Sequence, residues 1–259
     1  INIIENAFRE YFLINPGSSK QKQDVVLDDY GKVLFNNGGY PKSINTLVVP
    51  NSFCLTLPMH MARFNDKYFY EGNNFNYLPN LHIYGTINTK LAVEDYEMTI
   101  FYTSKDENAI SEALELKKST NYNINLIRDP DLKTIREESK KSKAIHTIAH
   151  GSEGNIMFDG NNIDGFAYCD LLPDSLETVS FSVCRSGAIS QHELYPIEHI
   201  GWVHKMLLKK TKRVFTHTWD LGQSASRQFA VNYYQNNDNY IEMKKFKPAE
   251  YGGYMIWGL

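Results

Sequence analysis

Two short segments of this 259-residue chain join a reactive side chain to a flexible neighbour. His150-Gly151 closes the apolar run KAIHTIAHG, and Cys184-Arg185-Ser186-Gly187 follows the run ETVSFSV. A thiolate is a strong nucleophile, and an imidazole is the usual base that draws it from a thiol. In open parallel sheets, functional groups gather at the carboxyl ends of strands. If the two runs are neighbouring strands, His150 and Cys184 share one rim. Gly151 lets backbone approach a substrate closely, and its N–H, with that of Cys184, suits an oxyanion hole. His146 has the pleat parity of His150 but lies deeper in its strand, and reads as a packed core histidine. Cys54 and Cys169 have no CxxC spacing and no evident partner, so they read as small buried hydrophobes.

Other chemistries find no support in the residues. The Asp/Asn/Gly-rich DGNNIDG lacks the spacing and terminal Glu of a calcium loop. No GxGxxG opens a helix after a strand and no GxxxxGK[ST] occurs, which argues against nucleotide binding. His192, His199 and His204 fall near one predicted helix, but a five-residue step puts the latter pair on different faces, so no metal site is expected. Lys+Arg 27 against Asp+Glu 30 leaves a net charge of -3, without the basic footprint of a nucleic-acid binder. The apolar runs are strand-sized, well short of the ~18 residues of a membrane span. The opening INIIENAFREYF carries no signal-peptide pattern and no initiator Met, as expected of a domain excised from a longer polypeptide. Three cysteines make no disulfide framework, and a reducing, cytoplasmic setting is the expectation.

The elements that must position His150 and Cys184 alternate in type. Residues 97–103 read as a buried strand. Residues 107–118 read as an amphipathic helix with Ile110, Ala113, Leu114 and Leu116 as its apolar stripe. A short strand over 123–127 and a helix opened by Asp129-Pro130-Asp131 follow, then the His150 strand, a turn-rich stretch and the Cys184 strand. Helices over about 196–210 and 222–235 flank the strand RVFTHTW, and GGYMIWG closes the chain as a strand. This alternation implies βαβ units and a mainly parallel sheet, an α/β class. The first ninety or so residues carry the turns DDYGK and NNGGY, the strand NTLVVP and a hairpin-like KYFYEGNNFNYL. They read as a smaller α+β portion over 1–92, joined near 85–96 to a larger portion over 93–259.

The two reactive segments also resemble a known family. AIHTIAHGSEG is similar to the strand-His-Gly element of caspase-like cysteine peptidases (clan CD), and SFSVCRSGA to their nucleophile element. The order of the remaining motifs resembles the CHAT branch, caspase-like domains often joined to tetratricopeptide repeats. NTLVVPNSFCLTLPMHMA and KYFYEGNNFNYLPN precede the His-Gly element; IMFDG, CDLLPDSLETVSF and the nucleophile follow; AEYGGYMIWG ends the pattern. The resemblance implies a caspase-type three-layer sandwich, with His150 as general base, Cys184 as nucleophile, and Gly151 and Cys184 as oxyanion donors. It implies no metal and no organic cofactor. Val183 stands where the family commonly has Ala. Trp219-Asp220 resembles a separase stretch and makes Asp220 a substrate-pocket candidate. Gly222-Gln223 occupies the region of a second acid, so the resemblance carries no preference for Arg or Lys before the cut.

The expectation is a cysteine endopeptidase that cuts a protein partner and is held off until a regulatory domain, an activating partner or a ligand releases it. Systems of this type resemble bacterial antiphage modules. The alternative is a non-catalytic interaction scaffold on the same fold. Acyl transfer or ligation at the same pair shares the acyl-enzyme step and differs only in the final acceptor.

Overall fold

The computed structural model describes residues 18–35, 45–50, 58–71, 73–79, 83, 96–152, 154–187, 190–191, 199–218, 220, 222–236, 243, 245–251 and 253–258. Its elements begin with helix α1 (Lys20–Phe35) and strands β1 (Asn45–Val48), β2 (Arg63–Phe64), β3 (Lys67–Tyr68) and β4 (Asn74–Tyr77). Then come β5 (Tyr96–Tyr102), α2 (Glu107–Ser119), β6 (Ile124–Arg128), α3 (Leu132–Glu138) and β7 (Ser142–Ile148). Strands β8 (His150–Ser152), β9 (Asn155–Phe158) and β10 (Asn161–Asp164) lead to α4 (Gly165–Leu171) and β11 (Thr178–Ser182). The chain continues through β12 (Ser190–Gln191), β13 (His199–Ile200), α5 (Trp202–Leu208) and β14 (Arg213–His217). It ends with α6 (Gln223–Asn236), α7 (Pro248–Tyr251) and β15 (Tyr254–Gly258).

An eight-stranded sheet in the order β1-β4-β15-β14-β11-β7-β5-β6 carries the fold. Every pairing in it is parallel except β14 with β15, so two parallel blocks meet at one antiparallel seam. The α/β class expected from the alternation is the one observed. Both β1 and β4, from the early part of the chain, extend this same sheet beyond β15. The join expected near 85–96 falls on residues 84–95, outside the described ones.

Side-chain parity sorts the layers, because successive residues of a strand point to opposite faces. Met98 and Ile100 of β5 and Ala144 and Ile148 of β7 pack against Ala109, Ala113 and Leu116 of α2 and Ala230 and Val231 of α6. On the other face Phe181 of β11 lies between Tyr168 of α4 and Trp202 of α5, with ring centroids 6.1 and 5.4 Å away. Helices thus cover both faces, as a buried parallel sheet requires.

Several elements differ from their sequence reading. The buried stripe of α2 is Ala109, Glu112, Ala113 and Leu116, one step out of phase with the stripe expected; Leu114 is 54% exposed. DDYGK is not a turn: it lies inside α1, whose Gly31 sits so close to Arg63 that a Cβ would fall 1.8 Å from the Arg63 carbonyl oxygen. Helix α1 is further tied to β2 by Arg63, which meets Asp24 and Asp28. KYFYEGNNFNYL is not a hairpin; β3 pairs with β2, and β4 runs parallel to β1 and β15. The true hairpin turns at Asn65 and Asp66, both left-handed, as a two-residue turn of this kind demands. The turn-rich stretch forms the β9–β10 hairpin, with Gly160 in the left-handed region. Helix α5 starts only at Trp202, after the extended Gly201. The NNGGY turn and Cys54 lie outside the described residues.

Candidate active site

Strands β7 and β11 are parallel neighbours, with Ile148 opposite Ser182. His150 and Cys184 each stand two residues beyond that pair, so equal parity and equal reach bring them to one rim. The chain does not continue straight to His150. Ala149 still bonds the Ser182 carbonyl at 3.3 Å, and then His150 opens β8, the edge of a three-stranded antiparallel sheet with β9 and β10.

A tight turn holds Cys184 at the end of β11. Ser186 N–H donates to the Val183 carbonyl at 3.2 Å, and Arg185 takes the left-handed conformation (φ 57°). The two residues after it fasten the turn to β14. Gly187 N–H donates to the His217 carbonyl at 2.7 Å, and His217 N–H donates to Ser186 Oγ at 3.0 Å. A Cβ on Gly187 would lie 2.8 Å from Thr216 Oγ1. The Ser-Gly that follows the cysteine is therefore an anchor. The His217 ring is buried against Tyr254, centroids 3.9 Å apart. Burial, then the nearby His146, hold its pKa well below the ordinary imidazole value.

Gly151 runs in contact with this turn. A Cβ there would fall 2.2 Å from the Cys184 carbonyl oxygen, 2.7 Å from Val183 Cγ1 and 3.0 Å from Cys184 N. Val183 fills the space that the glycine leaves open. Cys184 itself is half-buried and in no disulfide.

A cavity of about 260 Å³ opens between the two segments and is lined by both His150 and Cys184. The start of α2 contributes Asp106, Asn108 and Glu112, and the start of α6 contributes Gln223 and Ser226. Asp106 is the N-cap of α2, accepting from Asn108 N–H at 2.9 Å, as a carboxylate at a helix start does. Gln223 Nε2 donates to its Oδ2 at 2.8 Å, and Asn108 Nδ2 donates to Gln223 Oε1 at 2.6 Å, tying the two helix starts together. His150 Nε2 stands 3.9 Å from Asp106 Oδ2. The imidazole is half-exposed and Asp106 is largely covered. Sequence reading passed over Asp106, although an acid directly before an amphipathic run is a helix-start signal.

Behind this rim lies a buried polar cluster. Glu112 Oε1 accepts from Ser182 Oγ at 2.6 Å and lies 2.9 Å from His146 Nε2. Ser226 Oγ donates to Ser182 Oγ at 3.1 Å, and the Tyr234 hydroxyl lies 3.4 Å from His146 Nδ1. His146 is thus a core residue, as expected, and its partner Glu112 is an acid that the sequence phasing of α2 puts in solvent.

The remaining candidates lie apart. Asp220 is exposed and accepts two bonds from Arg185, Nε at 2.8 Å and Nη2 at 3.3 Å. It faces the nucleophile turn from the β14–α6 connection. Cys169 is fully buried in α4, and burial pushes its thiol up to about 12. It is the small buried residue expected from the sequence. Among the described residues no group of three His, Cys, Asp or Glu side chains is placed to hold a metal ion, and no helix is long and apolar enough to cross a membrane.

The fold, a large and mostly parallel sheet covered by helices on both faces, is shared with solved structures of other proteins. The chain is similar to separase of Saccharomyces cerevisiae in its complex with securin, at 14% identity and TM-score 0.60, over 83% of this chain and 15% of that one. It is also similar to gingipain R, an Arg-specific cysteine proteinase, at 13% identity and TM-score 0.57, over 90% of this chain and 66% of that one. The chain thus spans a small part of separase and about two thirds of gingipain R. No family model matches it, and no curated protein matches it in sequence. At these identities the likeness defines the fold.

Proposed function

We propose that the chain is a cysteine endopeptidase acting through Cys184 and His150. The observation that carries this reading is their joint position: equal reach from the paired Ile148 and Ser182, and one shared cavity. Asp106 faces Nε2 of the His150 ring, which leaves Nδ1 to take the thiol proton. The Cys184 sulfur then attacks the peptide carbonyl carbon, and the electron pair moves to the carbonyl oxygen. The close pass of Gly151 along Cys184 supports a role for their N–H groups beside that oxygen. As the tetrahedral species collapses, the C–N bond breaks and the amine leaves with the proton from His150. Water, deprotonated by the same imidazole, hydrolyses the thioester and restores the thiol. Asp106 acts as a positioning residue for the His150 ring.

In the fuller proposal this is a CHAT-type domain in the reducing cytoplasm of a bacterium. A sensor domain or protein partner gates it, and it acts in antiphage defence by cutting a protein substrate. Separase crystallised with securin is a precedent on this fold for a bound protein partner.

A peptide library derived from a proteome, digested and read by mass spectrometry of new N-termini, tests the peptidase reading. Wild type is expected to cut after one class of residue, and Cys184→Ala and His150→Ala each to abolish those cuts. Unchanged cleavage by Cys184→Ala overturns the mechanism.

A further inference from the structure

The 3.9 Å approach of Asp106 to His150 joins two parts of the chain that the main sheet does not hold together directly. Asp106 ends the β5–α2 connection. His150 opens β8, in the separate three-stranded sheet, where it pairs with Met157 of β9. One side chain outside the described lining of the cavity bonds both parts. Asp129, just past the end of β6, accepts from Ser104 N–H at 2.9 Å and from Asp159 N–H at 3.0 Å, both on Oδ1. Ser104 lies two residues before Asp106, and Asp159 follows β9 directly at the hairpin turn. The backbone of Asp129 is committed to the same junction. Its N–H donates to the Tyr102 carbonyl at the end of β5, at 2.9 Å, and its φ of 45° is left-handed, a region that L-residues enter at a steric cost. Helix capping does not explain the residue, because Asp131 caps α3 by accepting from Thr134 N–H at 2.7 Å.

From this we infer that Asp129 is a positioning residue for the Cys184–His150 pair: it bridges the connection that carries Asp106 to the hairpin that carries His150, and so sets the separation of those two side chains. The inference rests on the peptidase reading of Cys184 and His150. The carboxylate suits the task, being only 19% exposed. Burial by itself would raise its pKa, but hydrogen bonds from Ser104, Asp159 and Arg128 outweigh burial and hold it below the ordinary carboxylate value. It therefore keeps its charge wherever an imidazole titrates, and a charged acceptor makes the stronger kind of bond to N–H groups. The other ties at this junction are weaker. Lys105 Nζ meets Asp159 Oδ1 at 2.7 Å, but both side chains are exposed, and such pairs hold little. Asn161 Nδ2 reaches the Pro130 carbonyl at 3.4 Å, a long bond. Without the Asp129 bridge the hairpin shifts against α2, the ring loses its fixed approach to Asp106, and Nδ1 loses its aim at the thiol.

The test uses the full chain and the rate of Cys184 alkylation by iodoacetamide at pH 6, read by peptide mapping. Asp129→Gly accepts the left-handed backbone without strain and removes only the carboxylate. It is expected to slow labelling about fivefold, as Asp106→Asn does, since both lose one solvent-screened contact. The double variant Asp106→Asn/Asp129→Gly is expected to label no more slowly than Asp106→Asn alone, whereas independent effects would multiply to about 25-fold. Asp129→Asn, which keeps an Oδ1 acceptor and tolerates the same backbone, is expected to recover most of the rate that the glycine variant loses. If Asp129→Gly does not fold, hydrogen exchange in the wild type decides: the Ser104 and Asp159 amides are expected to exchange about tenfold or more slowly than free peptide amides, and exchange at the free rate overturns the bridge. Wild-type labelling by Asp129→Gly, or a multiplied loss in the double variant, overturns the role of Asp129; if His150→Ala still slows labelling, the peptidase reading stands. Labelling that neither His150→Ala nor Asp129→Gly alters overturns both.

Discussion

Replacing Gly151 with alanine is the sharpest perturbation of the site that leaves both reactive side chains in place. The added methyl carbon would lie 2.2 Å from the Cys184 carbonyl oxygen and 2.7 Å from Val183 Cγ1, where ordinary contact begins near 3.4 Å. One partner is backbone and the other a buried β-branched side chain, so neither swings aside. The β8 strand and the nucleophile turn must part by about 1 Å, a misplacement worth on the order of 10²-fold in rate. That corresponds to about 2.7 kcal/mol in the barrier. The overpacking itself is expected to cost about 1–3 kcal/mol of stability. The assay is the rate of Cys184 modification by a peptidyl chloromethyl ketone, with a urea melt beside it. Gly154→Ala is the control: Gly154 is left-handed (φ 91°) but has nothing within 4 Å of its Cβ position. It should lose stability, about 1–2 kcal/mol for the strained conformation, while its labelling rate holds. A Gly151→Ala protein that labels at the wild-type rate refutes the contact-based account of the rim.

Three further outcomes follow from the same geometry. Iodoacetamide at pH 7.5 should alkylate Cys184 in the native protein and reach Cys169 only after denaturation, because burial holds the Cys169 thiol near 12; peptide mapping reads both. Acid should weaken the fold before carboxylates titrate. Burial holds His60 near 3, and burial with His146 holds His217 well below 6.5. Unfolded imidazoles titrate near 6.5, so below that pH the unfolded chain carries the extra protons. Stability is complete above about 6.5 and declines as pH falls, by up to ~1.4 kcal/mol per pH unit for each ring. Urea melts at pH 7.5, 6 and 5 check this, and a flat series contradicts it. Asp106→Asn keeps a good helix cap but removes the charge facing His150. Labelling should slow about fivefold, as for the ~1 kcal/mol of a solvent-screened charge contact.

The strand ends around the site were legible because their signals are local. An apolar run that stops at His-Gly or Cys-x-Ser-Gly announces both a buried strand and a turn, and parallel neighbours follow from the alternation. Helix α1 was not legible, because Gly31 within DDYGK is a turn signal by propensity and becomes helical through its close pass against Arg63, a contact with residues far along the chain. The pairing of β4 with β1 and β15 is likewise non-local, and nothing in NNFNYL marks it. Glu112 was missed for a more instructive reason. The stripe through Ile110, Ala113, Leu114 and Leu116 scores higher by residue type than the stripe through Ala109, Glu112, Ala113 and Leu116 that is buried. Phasing by hydrophobicity put the acid in solvent. An acid that fits a helical stripe at i, i+1 and i+4 with small and apolar partners is a candidate buried charge, and here it lines the cavity.

The central claim is that His150 activates Cys184, and the pH dependence of Cys184 alkylation tests it most directly. Iodoacetamide rates measured from pH 4 to 10 in wild type are predicted to rise with a midpoint well below the ~8.5 of an unassisted thiol. In His150→Ala the midpoint should return toward that value, with a slower rate at pH 6. Superimposable profiles for the two proteins contradict the account, since a cysteine indifferent to its imidazole is no part of a catalytic pair.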